Sequence, residues 1–143
     1  KIGETVLFTR LLSGEYPSFE RIIPKNFTTR TLIDKEALLH AAKSAAIFAR
    51  DNANIIKLNF TNQKITVSAN APQTGENTIE VDAKIDGDGG EIAFNSRFLI
   101  EYLSNATEED VLFEMTGALN PGVFKSPKDE GQLHIIMPVR ISG

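Results

Sequence analysis

The chain's stock for acid–base or nucleophilic chemistry is small: two histidines, no cysteine and a few clusters of carboxylates. An enzymatic nucleophile needs an activated side chain with a base in reach. His40 falls in the middle of an alanine-rich run and His134 in an apolar run near the chain end, neither inside a catalytic motif. Each reads as a structural histidine. The stretch DGDGGE (86–91) tests against a calcium loop and fails, because the glycine is misplaced and the third ligand is missing. A turn between two strands explains it better. Glu108, Glu109 and Asp110 are consecutive, so a solvated strand start explains them without a glycosidase-like pair. There is no P-loop, no G-x-G-x-x-G and no H-E-x-x-H. A hydrolase built on the acidic cluster or on His134 would need convergent acid and base groups that the pattern lacks. The inventory predicts a non-catalytic chain with no cofactor and no metal. What remains is HIIMPVRISG (134–143), an apolar run with Pro138 and Arg140 set into it. It reads either as a core strand or as one wall of a binding site.

The elements that must position these residues follow from the apolar periodicity. TVLFTRLL (Thr5–Leu12) is β-branched and apolar enough for a strand. Pro17 and Pro24 bracket a segment with room for one helical turn. Thr28–Ile33 alternates as a strand. Asp34 is placed as the N-cap of a helix over 35–50, with Leu38, Ala41, Ala42, Ala45 and Phe48 or Ala49 at helical spacing. Ala37 stands at N3, so no full capping box forms. Residues 55–60 and 64–70 flank a short turn and read as a hairpin. In Thr78–Ile85, Ile79, Val81, Ala83 and Ile85 alternate with Glu80, Asp82 and Lys84. A turn at 86–90 and a strand at 91–94 follow. Asn95 or Ser96 then caps a second helix, with Phe98, Leu99, Tyr102 and Leu103 as its apolar stripe. Three more strands close the chain at 111–116, 123–126 and 132–137. The result is an α+β domain, a mostly antiparallel sheet with two helices on one face.

Length and charge set bounds. At 143 residues one ordinary domain fits. No run approaches the roughly 18 apolar residues of a membrane span, and residues 1–10 lack the order of a secretory signal. The absence of cysteine favours a reducing compartment. The chain opens on Lys1 rather than Met, which fits a processed terminus or a fragment alike. The net charge of −4 argues against a domain that grips nucleic acid unaided. Residues 1–64 carry ten Lys/Arg against six Asp/Glu, while 65–143 carry five against thirteen. That asymmetry predicts two differently charged faces.

Three stretches carry a family likeness. LLSGEYPSFERIIPKN (11–26) supplies Gly14, Tyr16, Pro17, Phe19, Arg21, Ile22, Ile23 and Pro24. EIAFNSRFLIEYLSN (91–105) supplies Phe94, Asn95, Phe98, Leu99, Tyr102 and Leu103. HIIMPVRI (134–141) supplies Met137, Pro138, Val139 and Arg140. In this order and spacing, over about residues 5–141, they resemble the third domain of the bacterial sliding clamp, the β subunit of DNA polymerase III. The resemblance implies a DNA-clamp fold. It divides the chain into residues 1–12, the last strand of a preceding middle domain or a linker, and 13–143, the C-terminal clamp domain.

Functionally the resemblance implies a processivity factor. In such a family two three-domain chains close head-to-tail into a homodimeric ring around double-stranded DNA. The ring tethers DNA polymerase, the clamp loader and other proteins carrying a clamp-binding motif, a Gln with a downstream Leu and Phe. It would work in the bacterial cytoplasm, at the nucleoid, with no membrane. The peptide-binding positions implied are Pro17, Arg21, Ile22, Asn54, Asn95, Phe98, Leu119, Pro121, Ile135, Ile136, Met137, Pro138, Val139, Arg140 and Ile141. Asn54 aligns with a position that is aromatic in some clamps. The dimer interface implied is the outer strand with Glu76, Thr78, Glu80 and Asp82, plus Phe48 and Ala49 at a helix end. DNA-facing positions implied are Lys35, Lys43 and Arg97 on the helices, with Lys25 and Arg30 nearby. The competing reading is a stand-alone β-rich module that binds a small apolar ligand in its sheet–helix interior.

Overall fold

The computed structural model describes residues 3–16, 18–71, 75–129 and 131–141, with backbone only at Asn70, Ala71 and Glu76. A 3-10 turn over Phe19–Arg21 leads into β1 (Thr29–Asp34) and α1 (Lys35–Ala49). β2 (Ile55–Thr61), β3 (Lys64–Ala71), β4 (Gly75–Gly87) and β5 (Gly90–Asn95) follow, then α2 (Ser96–Asn105). β6 (Asp110–Met115), β7 (Gly122–Lys125) and β8 (Leu133–Ile136) complete the sheet. All pairings are antiparallel, in the order β5-β2-β3-β4-β1-β6-β7-β8.

Local chemistry explains the element ends. Asp34 accepts a 2.7 Å hydrogen bond from the Ala37 amide, satisfying one of the orphan donors at the start of α1. Asn95 accepts from the Arg97 amide at 3.0 Å and starts α2. Asn62 and Gln63 both have positive φ, 51° and 62°, as the tight β2–β3 hairpin turn requires. Gly87 and Gly89 turn β4 into β5, and a Cβ there would stand 2.0 Å from the Thr28 carbonyl oxygen and 2.4 Å from that of Phe60. The DGDGG stretch is therefore a steric turn, as its composition suggested.

The strand proposed at Thr5–Leu12 does not form. Only Thr5 makes a one-residue bridge, and Leu7, Phe8, Leu11 and Leu12 are more than four-fifths exposed. A strand needs a neighbour for its N–H and C=O groups, and among the described residues no strand pairs with 6–12.

The sheet curls on itself. β2 and β6 are four strands apart, about 19 Å across a flat sheet at ~4.8 Å per strand. Yet Phe60 of β2 stacks on Phe113 of β6 with ring centroids 5.1 Å apart. Phe94 of β5 and Phe124 of β7 join them, at 6.2 Å and 4.7 Å from Phe113. All four rings are buried. Gly122 allows this crowding, since a Cβ there would meet Phe94 at 2.5 Å and Phe113 at 2.8 Å. α1 packs across β1–β4 and against α2, which touches β5 and β8. The alanine face read from the sequence does this work: Ala41, Ala42, Ala45 and Ala49 are fully buried.

The far side of the sheet, away from the helices, carries a charged triad. Glu114 is almost buried and receives Arg30 Nε at 2.8 Å and Lys125 Nζ at 2.7 Å. Burial pushes the Glu114 carboxyl up, but the hydrogen bonds and charges of Lys125 and Arg30 outweigh this and hold it below the usual range. A lowered folded pKa stabilises above the unfolded value, about 4.3, and that contribution fades as pH falls through the folded value. Glu114→Gln should therefore cost about 1–3 kcal/mol at pH 7. The gap to the parent should narrow as pH approaches 3. Urea titrations at both pH values check this, and a gap independent of pH would count against it.

Candidate functional site

The chain's tail builds an apolar face. Alternation along β8 points His134 and Ile136 toward the helices, opposite Phe124 and Gly122, and sends Leu133 and Ile135 to the far side. Ile136 is 3% exposed, a core residue. Pro138 brings no N–H, and the ladder stops after Ile136. The tail then crosses to the opposite sheet edge, where the Val139 amide donates to the Ala93 carbonyl of β5 at 2.8 Å. This crossing leaves Met137 60% and Ile141 47% exposed. The same end of β5 starts α2, whose first turn presents Phe98, 58% exposed. Asn54 is bound in there as well: its carbonyl accepts the Ser96 amide at 2.7 Å. Its φ of 58° is a left-handed conformation that asparagine adopts more readily than most residues. Pro121 precedes Gly122, the partner of Ile136, and Leu119 stands 59% exposed on the β6–β7 turn.

A cleft of about 450 Å³ opens beside this face, between α2 and β8. Phe98, Tyr102, Leu133 and His134 are among the residues that line it. Tyr102 and His134 stack at 4.6 Å. Burial lowers the His134 pKa against the opposite pull of Glu101, and burial raises that of Tyr102. The cleft is open to solvent, while the space between sheet and helices is filled by the phenylalanine cluster. The interior pocket that a small apolar ligand would need is thus occupied by side chains.

Comparison with known proteins adds identity to this geometry. The family described as DNA polymerase III beta subunit, C-terminal domain, matches residues 20–140. The chain belongs to that family. It is 31% identical over 142 residues to the beta sliding clamp of Staphylococcus aureus, covering 98% of this chain and 38% of that protein. It is 30% identical over 139 residues to the beta sliding clamp of Chlamydia muridarum, covering 97% and 37%. The chain thus spans less than two-fifths of these relatives. The sliding clamp of Bacillus subtilis superposes with a TM-score of 0.85 at 28% identity, over 94% of this chain and 36% of that one. The Thermotoga maritima beta subunit gives 0.88 at 24% identity, over 93% and 36%, a likeness of fold. The α+β clamp fold is thereby established.

Set in a clamp domain, the expected site residues divide. Asn54, Asn95, Phe98 and Val139 are placed where β5, α2 and the tail meet, Pro121 directly precedes β7, and Leu119, Met137, Arg140 and Ile141 are exposed. Ile136 is corrected to core and Ile135 to the far side of the sheet. Arg21 and Ile22 sit on the 3-10 turn, exposed and hydrogen-bonded only to Ser18 and Phe19. Pro17 lies outside the described residues, as do Ser142 and Gly143.

For the outer strand, β4 pairs with β1 only through 83–87, so residues 75–82 pair with β3 alone and leave a free edge. Thr78, Glu80 and Asp82 are exposed there, Glu80 in an ion pair with Lys64, and the Glu76 side chain lies outside the described residues. Ala49 cannot contribute to a joint, because it is 0% exposed. Ile47, exposed beside half-buried Phe48, is the apolar residue that helical periodicity overlooked. Its break from the buried stripe was the available signal.

Among the cations, Lys43 and Arg97 are exposed on the helices. The Lys35 ammonium donates to the Ala106 carbonyl at 3.2 Å and pairs with Glu36, so it pins the end of α2. Arg30 points to the far side, with its guanidinium 4.2 Å from the Phe27 ring centroid, and Lys25 lines the same hollow.

Proposed function

We propose that this chain is the C-terminal domain of a sliding clamp, a non-catalytic scaffold that holds partner proteins by an extended peptide. One observation supports the reading: after Ile136 the tail bonds to β5 at Ala93, close to the start of α2, and leaves Met137 and Ile141 exposed, as Phe98 is on α2 and Leu119 on the β6–β7 turn. The nearby polar groups, Asn95 and Arg140 among them, suit the backbone of a bound strand. In the full ring, residues 1–12 would add a strand to a middle domain, which accounts for their exposed leucines. The free edge of β4, with Ile47 and Phe48, would form half of a head-to-tail joint with another chain. Lys43 and Arg97 would face duplex DNA, few enough contacts for a ring to slide. Polymerase, clamp loader and repair proteins are the partners this reading implies, in a bacterial cytoplasm.

The test is a fluorescent peptide carrying Gln-x-x-Leu-Phe. Two buried anchors at about 1.5–3 kcal/mol each supply about 3–6 kcal/mol, which puts its Kd between roughly tens of micromolar and the millimolar range. Arg21→Ala and Met137→Ala should each weaken it. Absence of saturable binding up to millimolar peptide would overturn the reading.

A further inference from the structure

The cleft between α2 and β8 has a chemistry that the tail's face lacks. One wall is a single stripe of α2, with Phe98, Glu101, Tyr102 and Asn105 at helical spacing. Glu108 and Asp110 stand on the rim, and no lysine or arginine is among the described lining residues. Lys128 offsets this only weakly, reaching Glu108 at 3.6 Å with its own side chain largely exposed. The depressed pKa of His134 keeps it from supplying a counter-charge at neutral pH. The cleft thus combines apolar and aromatic lining groups with three carboxylates, those of Glu101, Glu108 and Asp110.

A side chain that matches has a long apolar stem and a cationic head. We propose that the cleft receives a lysine or arginine flanking the apolar anchors of the partner peptide, so that the domain selects for basic-flanked motifs. The inference rests on the peptide-binding reading of the tail's face and names which peptides that face prefers. Phe98 is the shared wall: it borders the tail's face in the first turn of α2 and also opens the cleft. From Phe98 to Asn105 the helix rises about 10 Å at 1.5 Å per residue. An extended peptide covers that in about three residues at ~3.3 Å each. The basic residue therefore sits about three positions outside the segment seated beside Phe98. Glu101 and Asp110 are exposed and stay hydrated, so the preference is a matter of specificity and salt sensitivity more than of raw affinity.

Three peptides test this by fluorescence anisotropy at low and at moderate salt. All carry Gln-x-x-Leu-Phe, bracketed on both sides by a two-serine spacer and then arginine, alanine or glutamate. The arginine peptide should bind about 3- to 10-fold more tightly than the alanine peptide, and the glutamate peptide more weakly than both. The gain should shrink as salt rises. In the double variant Glu101→Gln with Asp110→Asn, the three affinities should converge while the alanine peptide keeps its parental affinity. That last value also reports that the variant is folded. If the alanine peptide binds but arginine adds nothing, or its gain survives in the double variant, the cleft has no such role and the face reading stands. If no peptide binds at all, both readings fall together.

Discussion

Cutting the chain after Met137 is expected to leave a folded domain that no longer captures a clamp-binding peptide. The last core residue is Ile136, which stays. Among the described residues, removal takes away one backbone hydrogen bond, from Val139 to Ala93, and the half-buried Pro138 and Val139. A net hydrogen bond contributes about 1 kcal/mol, equivalent to a melting shift of about 2–4 °C in a domain of this size. Binding should suffer far more. The hydrogen bond at Ala93 ties the tail to β5; without it Met137 loses its anchor, and Val139 and Ile141 are gone from the face. Peptide affinity is expected to fall beyond the millimolar range, with far-UV circular dichroism unchanged. A truncated chain that unfolds would mean that the tail belongs to the core.

Phe113→Ala is expected to do the reverse and strike stability first. Phe113 touches three other aromatic rings, Phe60, Phe94 and Phe124, each from a different strand. Truncating a buried phenylalanine costs about 3–5 kcal/mol, a large share of the 5–15 kcal/mol that holds a typical domain together. The cost should lie toward the upper end, because two halves of a curled sheet meet at this ring and cannot collapse without breaking strand register. Urea denaturation of Phe113→Ala beside Phe98→Ala makes the contrast. Phe98 is mostly exposed, so its loss should leave the midpoint almost unchanged. Equal destabilisation by the two would contradict the division between core and face.

Much of this domain could be read locally. Asp34 as a cap, the hairpin at Asn62–Gln63 and the alternation of Ile79, Val81, Ala83 and Ile85 all depend on neighbours within a few residues. The family motifs pointed to the right fold for a similar reason, since Pro138 acts through its own backbone and Asn95 caps the amide of Arg97 two residues on. Other residues take their place from distant parts of the chain. Whether Thr5–Leu12 forms a strand depends on a partner elsewhere, and propensity cannot supply one. Ile136 sits at a position where the pairing of β8 with β7 decides burial, whereas Ala49 already belongs to the apolar stripe of α1. Arg30 was assigned by its charge, and its face is set by pairing with Glu114, 84 residues away. The acidic cleft beside Phe98 joins residues of α2, β6 and β8, so no window of sequence contains it.

The central place of β1 has a consequence for how the chain reaches its fold. β1 is the first strand made, yet its partners are β4 and β6, with Thr31 opposite Ile85 and Phe113. At ribosomal rates of about 5–20 residues per second, β1 waits roughly 4–16 s for β6 to be synthesised. Closing so long a loop also costs entropy before any contact repays it. The β2–β3 hairpin can form in the meantime, since its turn is two residues long. The nascent domain therefore passes through an interval with one hairpin formed and its middle strand unpaired, with both edges open to other chains. Slow folding is expected from the strand order itself.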